Sequence, residues 1–169
     1  MKPKSNNSAL VRIVPVVLSF AAAMVLAVVA LPESISNLRP DFVALVLIFW
    51  CLYYPGRVGL LVAFTVGLLA DTMYFGILGQ HAISKVVIAY VILRFVSDSD
   101  LKNRVLQQSV IVLLLLLLNV LILTVISRLV HGQSGSYMVW LTPFVGAVMW
   151  YLFALIRRKR TPPRYGIYQ

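Results

Sequence analysis

The sequence predicts an all-α integral membrane protein, a single bundle of six transmembrane helices, and three observations predict it. Of 169 residues, 61% are hydrophobic and 12% are charged, about half the charged share of an ordinary soluble domain. The apolar residues gather into six segments, roughly 12–31, 41–54, 58–75, 80–96, 105–127 and 138–156. The connections between them are too short to hold a soluble domain on either side. Third, the basic residues divide unevenly between the two faces of such a bundle. One face carries Lys2, Lys4, Arg12, Arg57, Arg94, Lys102, Arg104, Arg157, Arg158, Lys159, Arg160 and Arg164, and the other only Arg39 and Arg128. Lysine and arginine accumulate on the cytoplasmic side, so both termini are assigned there.

Each segment can be justified in order. The first, after Lys2, Lys4 and Arg12, runs apolar from Ile13 to Leu31. That is longer than the ~7–15 residues of a signal-peptide core, so it reads as an uncleaved span. Pro15 is expected in its first turn, where a missing N–H costs little. The second segment, Asp41–Tyr54, stops at Pro55-Gly56 and is short against the ~20 residues that cross a bilayer. A re-entrant loop is the alternative, but five crossings would export one of the basic ends, and six crossings keep both inside. The lone Cys51 lies within this run and has no partner for an intrachain disulfide.

Small residues carry the packing signal where everything is apolar. In the third segment Gly59, Ala63, Gly67 and Asp71 recur every four residues, a face another backbone can approach closely. In the fourth, His81, Lys85 and Ala89 share a face. The turn Gly76-Ile77-Leu78-Gly79 lies between them, and Gly79 permits it to be tight. Asp71 and Lys85 sit symmetrically about that turn, each about 7 Å from the outer boundary at ~1.5 Å per residue. Charges within a membrane are costly, so they are candidates for a depth-matched ion pair. Two other readings stand beside it, Lys85 reaching out to the headgroups and Asp71 protonated or facing water. The fifth segment, with six consecutive leucines from Leu113 to Leu118, is expected mainly against lipid. Its Asn119 is expected to make an interhelix hydrogen bond. The sixth holds Pro143, Gly146 and Ala147 for close helix contact. Trp140, Trp150, Tyr53, Tyr54, Tyr74 and Tyr137 read as an aromatic belt at span ends. The organisation is therefore a cytoplasmic tail over 1–11, one membrane domain over 12–157, and a basic cytoplasmic tail over 158–169.

Little in the chain supports chemistry. The five acidic residues are Glu33, Asp41, Asp71, Asp98 and Asp100, and the two histidines, His81 and His131, are far apart. No His/Cys spacing suits a metal, and there is no H-E-x-x-H, no phosphate-binding G-x-x-x-x-G-K-[ST] and no G-x-S-x-G elbow. No enzyme activity, cofactor or metal is expected. The net charge of +10 does not point to nucleic acid, because the basic residues follow membrane topology; their expected partner is anionic lipid.

Arg39-Pro40-Asp41 opens the second span, followed by Trp50, the turn Pro55-Gly56-Arg57-Val58-Gly59, then Gly67-Leu68-Leu69-Ala70-Asp71, Leu78-Gly79 and Tyr90. In the order and spacing of these pieces the stretch 39–94 resembles the MreD family of bacterial rod-shape-determining membrane proteins. Phe75 stands where family members often carry glycine, and Lys85 has no counterpart in the family pattern. The resemblance implies a non-enzymatic scaffold of the cell-elongation complex in the inner membrane. It would bind MreC, with MreB, RodA and a class B penicillin-binding transpeptidase in the same assembly, and a homodimer is compatible with it. The residues it singles out for packing or partner binding are Arg39, Pro40, Asp41, Arg57, Gly59, Gly67, Asp71 and Gly79, with Lys85 added from the charge argument. It also implies a fold similar to the substrate-binding subunits of energy-coupling-factor transporters. The rival function is therefore a small-molecule-binding or transport subunit.

Overall fold

The computed structural model describes residues 7–29, 38–74, 78–96, 104–131 and 137–160. The outer parts of both tails, Glu33, Asp98, Asp100, Phe75 and Gly76-Ile77 of the expected turn lie outside the described residues. Within them the chain is helical, with six α-helices: α1 Asn7–Val28, α2 Phe42–Tyr53, α3 Leu60–Tyr74, α4 Gln80–Val91, α5 Val105–His131 and α6 Thr142–Arg160. A π-helical turn, Ile92–Val96, continues α4, and a 3-10 turn, Tyr137–Leu141, leads into α6. Two stretches are long and apolar enough to cross a membrane, Val105–Val130 and Tyr137–Arg158.

Helix α2 is the axis of the packing. Asp41 caps it, accepting the Ala44 N–H at 2.8 Å, and it stops before Pro55, which cannot continue the backbone ladder. Its residues Val43, Ala44, Leu47, Ile48, Trp50, Cys51 and Leu52 are all buried, and every other helix touches it. Being surrounded explains how an element of 12 residues, about 18 Å long, can be apolar throughout. Serine and tryptophan tie α1 to it: Trp50 Nε1 donates to Ser19 Oγ at 2.8 Å, and that hydroxyl donates to the Val16 carbonyl at 2.8 Å.

The closest helix pair is α3 against α4. A Cβ added to Gly67 would lie 2.4 Å from Ala82 Cα and 2.8 Å from the His81 carbonyl oxygen. Ala63, Gly67 and Asp71 are buried on that side of α3. Gly59 does not belong with them. It precedes the helix, is exposed, and has nothing within 4 Å of an added Cβ. The four-residue repeat therefore begins one step later than its spacing suggests. Gly146 makes a second close approach, α6 to α5, where an added Cβ would meet Leu116 Cδ1 at 2.6 Å.

Three local expectations change. Helix α1 begins at Asn7, so Pro15 lies well inside it rather than in its first turn. Leu115 and Leu116 of the leucine run are buried with Val112, Asn119 and Val120, because α5 packs on both α4 and α6. Trp150 is buried against Tyr53, in a stacked arrangement with ring centroids 6.5 Å apart, and is not part of an exposed belt.

Candidate functional site

Four polar side chains from three elements meet inside the bundle. Lys85 of α4 is fully buried, and its ammonium donates to Asp41 Oδ2 at 2.5 Å and to Asn119 Oδ1 at 3.0 Å. Asn119 of α5 donates in turn to Asp41 Oδ2 at 3.1 Å, and Ser84 Oγ donates to Asn119 Oδ1. Asp41 Oδ1 is engaged at the start of α2. One carboxylate thus caps its own helix with one oxygen and binds two neighbouring helices with the other. A buried charge whose partners are all in place holds elements together, and a half-satisfied one drives them apart.

The depth-matched pair of Asp71 with Lys85 is therefore replaced by another pairing. Asp71 faces the first turn of α4, accepting from His81 N at 2.7 Å, Gly79 N at 2.8 Å and Ala82 N at 3.4 Å. Gly79 occupies the capping position with φ of +97° and has no side chain to cap with, so the carboxylate of α3 supplies the acceptor that the sequence lacks locally. Helix N-terminal N–H groups carry positive partial charge, and a carboxylate is well suited to them. Equal distance from the turn misled because it ignored the orphan donors between the two residues. Those donors take Asp71, and Lys85 reaches across to α2.

The remaining candidates fall into place around these two groups. Pro40 is buried beside Gly146, its Cβ 3.6 Å from an added glycine Cβ. The Arg39 guanidinium donates to the carbonyls of Ala27 and Val29 at the C-terminal end of α1, where a cation meets the negative end of the helix dipole. Arg57, in the α2–α3 turn at the opposite end of the bundle, lies over Tyr54 at 4.8 Å and near Trp50 at 5.7 Å. Arg39, Asp41, Asp71, Gly79 and Lys85 thus share one end of the molecule, and Arg57 and Gly59 the other. Two residues outside the candidate set also matter: Asn119, the hub of the buried network, and Gln80, which donates to the Leu123 carbonyl at 2.9 Å and to Ser127 Oγ at 3.2 Å. A lone asparagine in a leucine-rich span was a signal for the first. No sequence pattern marked the second. His81 stacks on Tyr74 at 5.0 Å.

A helical bundle tied together by buried polar contacts, with two helices of membrane-crossing length, points to a small membrane-associated helical protein. The family profile described as rod shape-determining protein MreD matches residues 8–160, and the chain belongs to that family. It is similar to the rod shape-determining protein MreD of Haemophilus influenzae, with 29% identity over 143 residues, covering 83% of this chain and 87% of that protein. No solved structure matches the chain.

Proposed function

We propose that this protein is a non-enzymatic scaffold of the bacterial cell-elongation complex, binding MreC and helping couple MreB filaments to peptidoglycan synthesis by RodA and its transpeptidase. In this reading it spans the inner membrane six times with both termini in the cytoplasm. That places the Asp41 end of the bundle outward and the Arg57 end inward. Family resemblance implies a layout similar to that of the energy-coupling-factor binding subunits, in this reading used for protein contact rather than ligand capture. Family membership over most of the chain carries the reading. The buried network agrees with it, since Asp41, Lys85, Asn119 and Ser84 bond to one another. A site built for a small polar ligand would hold some of those groups ready for it.

The test is a detergent pull-down of the tagged chain from its own membranes. Recovery of MreC is the expected result. Recovery of a transporter ATPase module in place of MreC would overturn the scaffold in favour of the transport reading.

A further inference from the structure

The first turn of α4 is closed tightly onto α3. Gly79 opens it with φ of +97°, and the Ile83 N–H donates to the Gly79 carbonyl at 2.9 Å. Asp71 of α3 accepts from the backbone at Gly79, His81 and Ala82. At Gly67 the two backbones approach so closely that no methyl group fits between them. The His81 ring lies in the same contact, stacked on Tyr74 of α3 with centroids 5.0 Å apart and planes 26° from parallel. Its Nδ1 is buried and has no hydrogen-bond partner. A neutral imidazole fits there with its hydrogen on Nε2, which leaves only a lone pair at Nδ1.

We infer that His81 is a pH-sensitive latch between α3 and α4: the neutral ring keeps the first turn of α4 closed on α3, and protonation releases it. An imidazolium carries N–H at both ring nitrogens. Protonation therefore puts a donor at the buried Nδ1, where nothing accepts it, and a buried donor without an acceptor is costly. The added charge is no better placed. Lys85, a like charge, lies one turn along on the same face of α4, and the first turn of a helix is its positive end. The opposite charges acting on the ring are Asp41 at the start of α2 and Asp71 of α3, and both are committed elsewhere. Asp71 serves three backbone N–H groups, and Asp41 serves Lys85, Asn119 and the Ala44 N–H. Tyr74 does not change charge in the range where an imidazole does. Helix α5, also packed on α4, brings only an exposed Arg128 among its described charges to this end. The contact is thus closed near neutral pH and loosens as the pH falls. The inference goes beyond the scaffold reading and does not depend on it; in the proposed topology the pH sensed is that of the outer compartment.

The test is amide hydrogen exchange of the purified full chain in one detergent at about pH 7.5 and about pH 5.5, which bracket the usual imidazole range. Exchange is read as protection factors, so that the intrinsic effect of pH cancels. Protection at Ala82 and Ile83 should fall at least about fivefold at the lower pH, the lower end of the cost of an unpaired buried donor, while Leu115 and Leu116 of α5 hold theirs. His81→Gln should abolish the fall, and His131→Gln, which removes the chain's other histidine, should leave it. If His81→Gln does not fold, His81→Phe decides, because it keeps the stack on Tyr74 and cannot take a proton. Protection independent of pH in that variant supports the latch, and the parent's fall overturns it. Equal protection of the parent at both pH values, a fall that persists in His81→Gln, or its loss in His131→Gln would each overturn the inference.

Discussion

Replacing Asp41 by asparagine isolates the charge in the buried network. Asparagine can still cap α2 through the Ala44 N–H and can still bond Asn119, so what disappears is the counter-charge 2.5 Å from the Lys85 ammonium. That ammonium has no exposure, whereas the Asp41 side chain keeps 20%. Stranding the lysine should therefore cost more than stranding the carboxylate: about 3–5 kcal/mol for Asp41→Asn, the range for an unpaired buried charge. Lys85→Met should cost about half of that, since water can reach the carboxylate left behind. The double variant carries no charge and should lie within about 1–2 kcal/mol of the parent, so the coupling energy should exceed about 2 kcal/mol. Thermal unfolding of the four proteins in one detergent measures it. A coupling energy below about 0.5 kcal/mol, or an equally large coupling of Lys85 with Asp71, would refute the pairing.

Further outcomes follow from the same geometry. Gly67→Ala forces the α3 and α4 backbones apart at Ala82 and should destabilise the bundle by about 1–3 kcal/mol. Gly59→Ala meets nothing and should stay within about 0.5 kcal/mol of the parent in the same unfolding assay. Asp71→Leu leaves the first N–H groups of α4 without their acceptor and should cost about 2–4 kcal/mol, with amide exchange accelerated first at Gly79 and His81. Gly79→Ala must hold a left-handed φ and should cost about 1–2 kcal/mol by the same melting measurement.

Much of the helical layout was legible because long apolar runs bounded by proline, glycine and charge mark where helices begin and end. The observed α2, from 42 to 53, lies within the stretch 41–54, and α4 with its π turn covers the stretch 80–96. Proline and glycine marked the ends. The site was legible as a set of residues and not as a set of bonds. Asp71 and Lys85 stood out because each is a charge in an apolar run, and Asp41 through the Arg39-Pro40-Asp41 piece that opens its segment, but sequence distance from a turn does not say which helix a long side chain reaches. Lys85 crosses to α2 because Asp71 is taken by backbone donors that no side-chain pattern displays. Gly59 failed for a similar reason: a four-residue spacing continues past the point where the helix starts. Of the aromatic residues read as a belt, Tyr53 also meets Trp150 and Arg157 of α6, contacts that no sequence spacing displays.

If Asp41 and Lys85 serve only to satisfy one another's charge between α2 and α4, a variant without either charge keeps the protein's role in cells. The most direct measurement is cell shape in rod-shaped bacteria depleted of their own copy and supplied with the charge-free Asp41→Asn, Lys85→Met variant, with membrane abundance matched to the parent. Rods are the expected result. Round cells at parental abundance would contradict it, because the charges would then serve a function beyond holding α2, α4 and α5 together.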